Sequence, residues 1–245
     1  MVRYQGMQKL FTCSILCIVL AACSRSPGDT SLPAPTFVPL DAALATPRKA
    51  GPFGAYLLID ANGVRLVAGL SFSTGATPLP TDPPSRQVWL DPDDRLADIV
   101  RRAQPSGDAR YLAVAVSGDL EGPGGFGPEG AFGYRMRAPT LTPLPWQETT
   151  VARLAGLSPA GQAVRVTGAL VASTGEAVLV EALDPGGSPA PQARQVKLRT
   201  PVRDAALLAR LTAAPGGTVR YGMVQVEGIW YDGALVPLGI RKVEG

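Results

Sequence analysis

The sequence predicts a mainly β protein assembled from two tandem copies of one small domain. Its apolar segments alternate at period two, the spacing of a half-buried strand. Glycine and proline, 28 and 24 of the 245 residues, punctuate those segments as turns. The chain also repeats itself. Arg86-Gln87-Val88-Trp89-Leu90 reappears as Arg194-Gln195-Val196-Lys197-Leu198 at an offset of 108, and the stretch from Arg110 to Gly118 matches Arg220 to Gly228 at 110. Upstream, Gly54-Ala55 followed by Leu66 and Leu70 parallels Gly168-Ala169 followed by Leu179 and Leu183.

The first element is a leader, residues 1–22. Arg3 and Lys9 give it a weakly basic start, and an apolar run follows from Leu10 to Ala22. That run is too short for a bilayer-spanning helix, which needs about 20 residues. It suits a secretory signal core ending in small residues. Leu20-Ala21-Ala22-Cys23 resembles the lipobox of bacterial lipoproteins. The resemblance implies cleavage before Cys23, acylation of that cysteine, and an extracytoplasmic protein anchored to a bacterial membrane. Two acyl chains suffice for stable anchoring, each buried methylene contributing about 0.8 kcal/mol. An ordinary cleaved leader and a single N-terminal membrane anchor are the alternatives, and Met7 is an alternative start. Residues 23–50 then carry Pro27, Pro33, Pro35, Pro39 and Pro47 among serine, threonine and alanine. This composition predicts a disordered tether reaching roughly 30 Å as flexible coil.

The first copy spans 51–144. A strand around Ala55–Ile59 leads through Asp60-Ala61-Asn62-Gly63, where Asn62-Gly63 is a hairpin signal. Val64, Leu66, Ala68, Leu70 and Phe72 then alternate as a second strand. A proline-rich loop from Pro78 to Pro84 precedes a third, Gln87–Leu90. Asp91-Pro92 reads as a cap followed by a proline that needs no partner, opening a helix through Leu96, Ile99, Val100 and Ala103. Leu112, Val114 and Val116 form a fourth strand, and a glycine-rich loop from Glu121 to Gly130 leads to a fifth around Phe132–Arg137. A linker at 145–159 carries Trp146, read as a wedge between the copies.

The second copy, 160–245, has the same order: strands at Val164–Val171, Ala177–Leu183 and Gln195–Arg199, a helix opened by Thr200-Pro201, and strands at Val219–Glu227 and Ala234–Ile240. Three strands, a helix and two strands resemble the OB-fold, a five-stranded barrel. The resemblance implies ligand binding on the strand 2–3 face and its neighbouring loops. Another small β-rich barrel or sandwich with one helix remains the alternative.

Composition narrows function by exclusion. Histidine is absent, and Cys13 and Cys17 lie in the leader. With Cys23 acylated, no cysteine nucleophile, histidine base or conventional zinc or copper site remains, and no cofactor is expected. Calcium through oxygen ligands stays open, but no acidic loop of the fixed-glycine type is present. Without the leader the chain has 21 basic and 20 acidic residues, a balance that argues against nucleic acid.

Asp91, Asp93 and Asp94 have a sufficient role at a helix start. Asp119, Glu121, Glu227 and Asp232 flank strand exits and are the candidate acids of a carboxylate hydrolase, for which no motif is present. The sequence therefore predicts no catalytic residue and no metal ligand. Alternation places Gln87 and Trp89 on the outer face of the third strand, with Lys197 as the counterpart of Trp89 and Arg199 beside it. Phe126 in the glycine-rich loop, and Trp230 and Tyr231 in the matching short connection, complete the candidate ligand-binding set. The expectation is a membrane-anchored, non-catalytic binding or interaction module whose partner is envelope polysaccharide or envelope protein. Trp89→Ala or Trp230→Ala should then abolish binding and leave unfolding unchanged. The alternatives are a structural subunit of an envelope complex without a small ligand, and the carboxylate hydrolase.

Overall fold

Period-two alternation produces strands nearly everywhere it was read, and one set of them closes on itself. The computed structural model describes residues 36–47, 51–72 and 77–243, so the leader, Cys23 and residues 24–35 lie outside the described residues. In chain order the strands and helices are β1 (Val38–Pro39), α1 (Leu40–Ala45), β2 (Phe53–Asp60), β3 (Gly63–Val67), β4 (Leu70–Ser71), β5 (Leu79–Pro80) and β6 (Val88–Leu90). Then come α2 (Ala97–Arg102), β7 (Gln104–Ser106), β8 (Ala109–Glu121), β9 (Tyr134–Pro143), β10 (Gln147–Thr150) and α3 (Val151–Leu154). The chain continues through β11 (Ala160–Ala172), β12 (Ala177–Val180), β13 (Gln195–Lys197), α4 (Ala205–Arg210), β14 (Thr212–Ala213), β15 (Arg220–Tyr231) and β16 (Ala234–Lys242).

The protein is mainly β and contains a closed five-stranded barrel. Strand β2 pairs with β3, β3 with β6, β6 with β9, β9 with β8, and β8 returns to β2; the β6–β9 pair is parallel and the other four are antiparallel. The barrel is filled by Phe53, Ala55, Leu57, Leu66, Val88, Leu90, Val114, Val116 and Met136, with Ile99 of α2 packed among them. The second half forms most of a nine-stranded sheet, seven strands in the order β13-β12-β11-β15-β16-β4-β5 with β10 paired to β11 and β14 to β15 beside that path. Its first and fifth members approach through one parallel bridge, Leu198 to Leu235, and the Arg199 N–H donates to the Leu235 carbonyl at 2.9 Å.

The outer face of the barrel is not solvated where it meets the second half. Along β2, Phe53, Ala55 and Leu57 point into the barrel, whereas Tyr56 and Leu58 point outward into a shared cluster with Leu70, Ala113, Ala115, Leu144, Ile229 and Leu238. Trp146 packs on this cluster as the expected wedge, with the Arg165 guanidinium 5.6 Å from its ring. Residues Ala34–Gly245 accordingly form one unit.

Several elements depart from expectation. Residues 36–47, inside the predicted tether, are ordered: Phe37, Leu40, Ala43 and Leu44 are buried, and Val38–Pro39 pairs in parallel with β2. The predicted second strand breaks at Ala68-Gly69, because β4 leaves the barrel to pair with β16 and β5. Asp93 caps the first helical turn by accepting from the Arg95 N–H at 2.8 Å, while Asp91 accepts from Trp89 Nε1. In the second half Asp204, not Thr200, caps the helix through the Leu207 N–H. The turn between β2 and β3 is Ala61-Asn62, with only Gly63 of these residues at positive φ.

Candidate functional site

The outer face of β3 and β6 brings Arg65 and Trp89 side by side in register. Both residues occupy the outward parity of strands whose inward positions, Leu66, Val88 and Leu90, are fully buried. Arg65 is itself buried, and its guanidinium makes two hydrogen bonds to the Asp60 carboxylate, at 2.6 and 2.7 Å. Its Nε donates to Gln87 Oε1 at 2.8 Å. Burial alone would raise the Asp60 pKa, but the Arg65 hydrogen bonds, the Asn62 N–H and the Arg65 charge together outweigh it and hold the carboxyl below its usual range.

Trp89 is half-buried beneath its own chain. Phe132 stacks on it at 5.4 Å and 19°, and Gly63 lies against its far edge, where a Cβ would come within 2.5 Å of Cη2. The glycine-rich loop is a small hairpin in which Phe126 and Phe132 bond backbone to backbone. The Arg135 guanidinium sits 5.0 Å from the Phe126 ring and donates to Glu121 Oε2 at 2.7 Å. That hydrogen bond, with the charge of Arg137 behind it, holds the Glu121 carboxyl below its usual range. A general acid needs the opposite shift.

Gln87 lies on the predicted face but is buried and offers no free group: it also donates from Nε2 to the Asp82 carbonyl at 2.7 Å. Asp82 is the discordant group here. Its Oδ1 accepts from the Ala68 N–H at 3.0 Å, and its buried Oδ2 has no partner. Burial raises its pKa to about 6 from 3.8. Between those values the folded state holds a proton that the unfolded state has released, so stability rises as pH falls from 6 toward 4. Two pH units correspond to about 3 kcal/mol of penalty above pH 6. Asn at this position keeps the acceptor but puts an amide N–H in the unpartnered corner. Asp82→Asn is therefore expected to stabilise the protein by about 1–2 kcal/mol at pH 8 and by nothing at pH 4, read from urea unfolding at both.

The second half places its candidates on the other sheet. Lys197 is exposed, 3.8 Å from Glu176 across the β12–β13 pair. Arg199 lies 5.3 Å from the Tyr231 ring and pairs with Asp232 at 2.9 Å. Trp230 contradicts its assignment as a ligand residue: it is 6 % exposed in the core of the second half, and its Nε1 donates to the Leu157 carbonyl at 3.1 Å.

One charged cluster was not foreseen. The buried Glu227 accepts from the Tyr56 hydroxyl through Oε2, from Arg165 through Oε1 at 2.7 and 2.9 Å, and from Arg241 at 3.1 Å. Arg165 continues to Glu148 at 2.6 Å, and the Arg241 guanidinium lies 3.8 Å from the Phe72 ring. Burial works to raise the Glu227 pKa, but Tyr56 and the two guanidiniums hold it below the usual range. Burial and the Glu227 charge push the Tyr56 hydroxyl well above its ordinary value, so it remains a donor. In the repeat Glu227 stands where the first copy has Ser117, and that divergence is the available sequence signal. No family model, curated protein or solved structure matches this chain.

Proposed function

We propose that this chain is a non-catalytic binding module of a bacterial cell envelope, a lipoprotein anchored through acylated Cys23 with 51–144 and 160–245 as two OB-like barrels. Wiring supports the barrel reading. In the first half the third and fifth ring strands, β6 and β9, pair in parallel, and α2 lies between the third and fourth, as in an OB barrel. In the second half β11, β12, β13, β15 and β16 take the same places, α4 lies between the third and fourth, and the Leu198–Leu235 bridge stands for the parallel pair. The observation that carries binding is the Trp89–Arg65 platform on the strand 2–3 face, where such barrels take ligands. The engagement of Glu121, Glu227 and Asp93 by arginines supports a role without catalysis.

The partner is an envelope protein or envelope polysaccharide. A structural subunit without a small ligand is the second reading, favoured by Trp230 in the core and Trp89 beneath its own loop. The test uses acylated protein from solubilised membranes, probed with isolated cell-wall polysaccharide and with membrane extract. Expected are a diacylated Cys23 by mass spectrometry and retention on one partner that Trp89→Ala abolishes. Retention indifferent to Trp89→Ala would favour the structural subunit, and an unmodified Cys23 would remove the anchor.

A further inference from the structure

The glycine-rich hairpin sits on the platform through Phe132 and Gly127, and its second ring, Phe126, meets the Arg135 guanidinium beside it. Phe132 is 5 % exposed, stacked on Trp89, with the Arg65 guanidinium 5.9 Å from its ring centre. Within the hairpin, Phe126 and Phe132 exchange backbone hydrogen bonds of 2.9 and 3.1 Å, and the Gly124 N–H donates to the Gly133 carbonyl. Its backbone link to the body is a 3.3 Å hydrogen bond from the Gly133 N–H to the Pro84 carbonyl. We propose that the slot between Trp89 and Arg65 is a binding site for an aromatic side chain of a partner polypeptide. Phe132 is its resident intramolecular occupant, and the hairpin must lift for the partner to enter. This rests on the binding-module reading and adds to it the ligand class and the regulation.

The ligand class follows from what the floor of the slot has left to offer. Arg65 directs three of its five N–H donors to Asp60 and Gln87, Gln87 directs an amide N–H to the Asp82 carbonyl, and Trp89 Nε1 donates to Asp91 at 3.0 Å. What remains is chiefly a π face beside an already paired cation. A sugar ring buried here would leave hydroxyls without partners, whereas a phenyl or phenol ring meets what it needs. The hairpin closes only because Gly127 crosses both rings bare: with φ at +69°, a Cβ there would lie 2.7 Å from Phe132 and 2.9 Å from Trp89.

The test supplies the hairpin in trans. A fluorescein-labelled peptide of residues 122–134 is titrated, with anisotropy as readout, into the wild-type chain, Phe132→Ala and Gly127→Ala. Circular dichroism melts establish that each variant is folded. Phe132→Ala, with its slot vacated, should bind the peptide at least about tenfold tighter than wild type, whose own ring competes. Gly127→Ala keeps the ring but cannot close over it, and should bind likewise. The same peptide with alanine in place of its Phe132 should not bind. Folded variants that ignore the peptide would overturn the proposal, as would equal binding of the alanine peptide. Binding of an N-acetylglucosamine oligomer in its place would overturn the ligand class. These outcomes need neither the lipid anchor nor the envelope, so they are separable from failure of the envelope-retention test.

Discussion

Glu227→Ala is expected to lower the unfolding free energy by about 3–5 kcal/mol at neutral pH, the usual consequence of removing one partner from a buried ion pair. The cost arises from what is left behind. Arg165 and Arg241 would keep their charges with no carboxylate between them, and the buried Tyr56 hydroxyl would lose its acceptor. Tyr56→Phe should cost only about 1–2 kcal/mol, because Glu227 retains both arginines. The pH dependence has a definite sign. A glutamate whose folded pKa is depressed stabilises fully above its unfolded value, and that stability drains as pH falls through the folded value. The wild-type advantage over Glu227→Ala, measured by urea unfolding, should therefore be complete at pH 7 and shrink below about pH 4.5. An unchanged difference down to pH 3 would contradict it.

Trp230→Ala is expected to destabilise by about 3–5 kcal/mol, the range for deleting a large aromatic from a core. This reverses the expectation that the variant would lose binding with unfolding unchanged. The ring belongs to the core cluster that includes Leu154, Val164, Val226 and Leu235 and is anchored by its hydrogen bond to the Leu157 carbonyl. Trp230→Phe keeps most of the ring and forfeits the hydrogen bond, so it should cost markedly less. Thermal unfolding of both variants checks the order, and a Trp230→Ala melt superimposable on wild type would return Trp230 to the surface.

Much of the fold was legible, and what was missed has physical causes. Alternation gave the inward residues of β3, β6 and β8 and put Trp89 on the outer face. The same parity, counted from Val224 through Val226, would have placed Trp230 in the core, but its position in a short connection suggested a turn. The burial of Tyr56, Leu58 and Ile229 was not readable, because period two reports one buried face and gives no sign that a second half covers the other. Helix starts were displaced by a few residues because Asp91-Pro92 and Thr200-Pro201 carry the expected residue types while Asp93 and Asp204 make the hydrogen bonds. On the platform, Trp89 was found by strand parity. Arg65 was passed over because an outward arginine on a strand ordinarily meets water. Phe132 was missed because nothing local says that a glycine-rich connection folds back.

The claim beneath all of this is that the barrel and the second half behave as a single cooperative body, joined through the shared apolar cluster and the Glu227 cluster. Native-state hydrogen exchange on the unaltered chain tests it most directly, comparing amides at the centre of β8 with those of β15 as urea is raised. The account predicts that both sets merge onto one unfolding isotherm with the same free energy. Separate isotherms, with one half opening while the other stays protected, would contradict it.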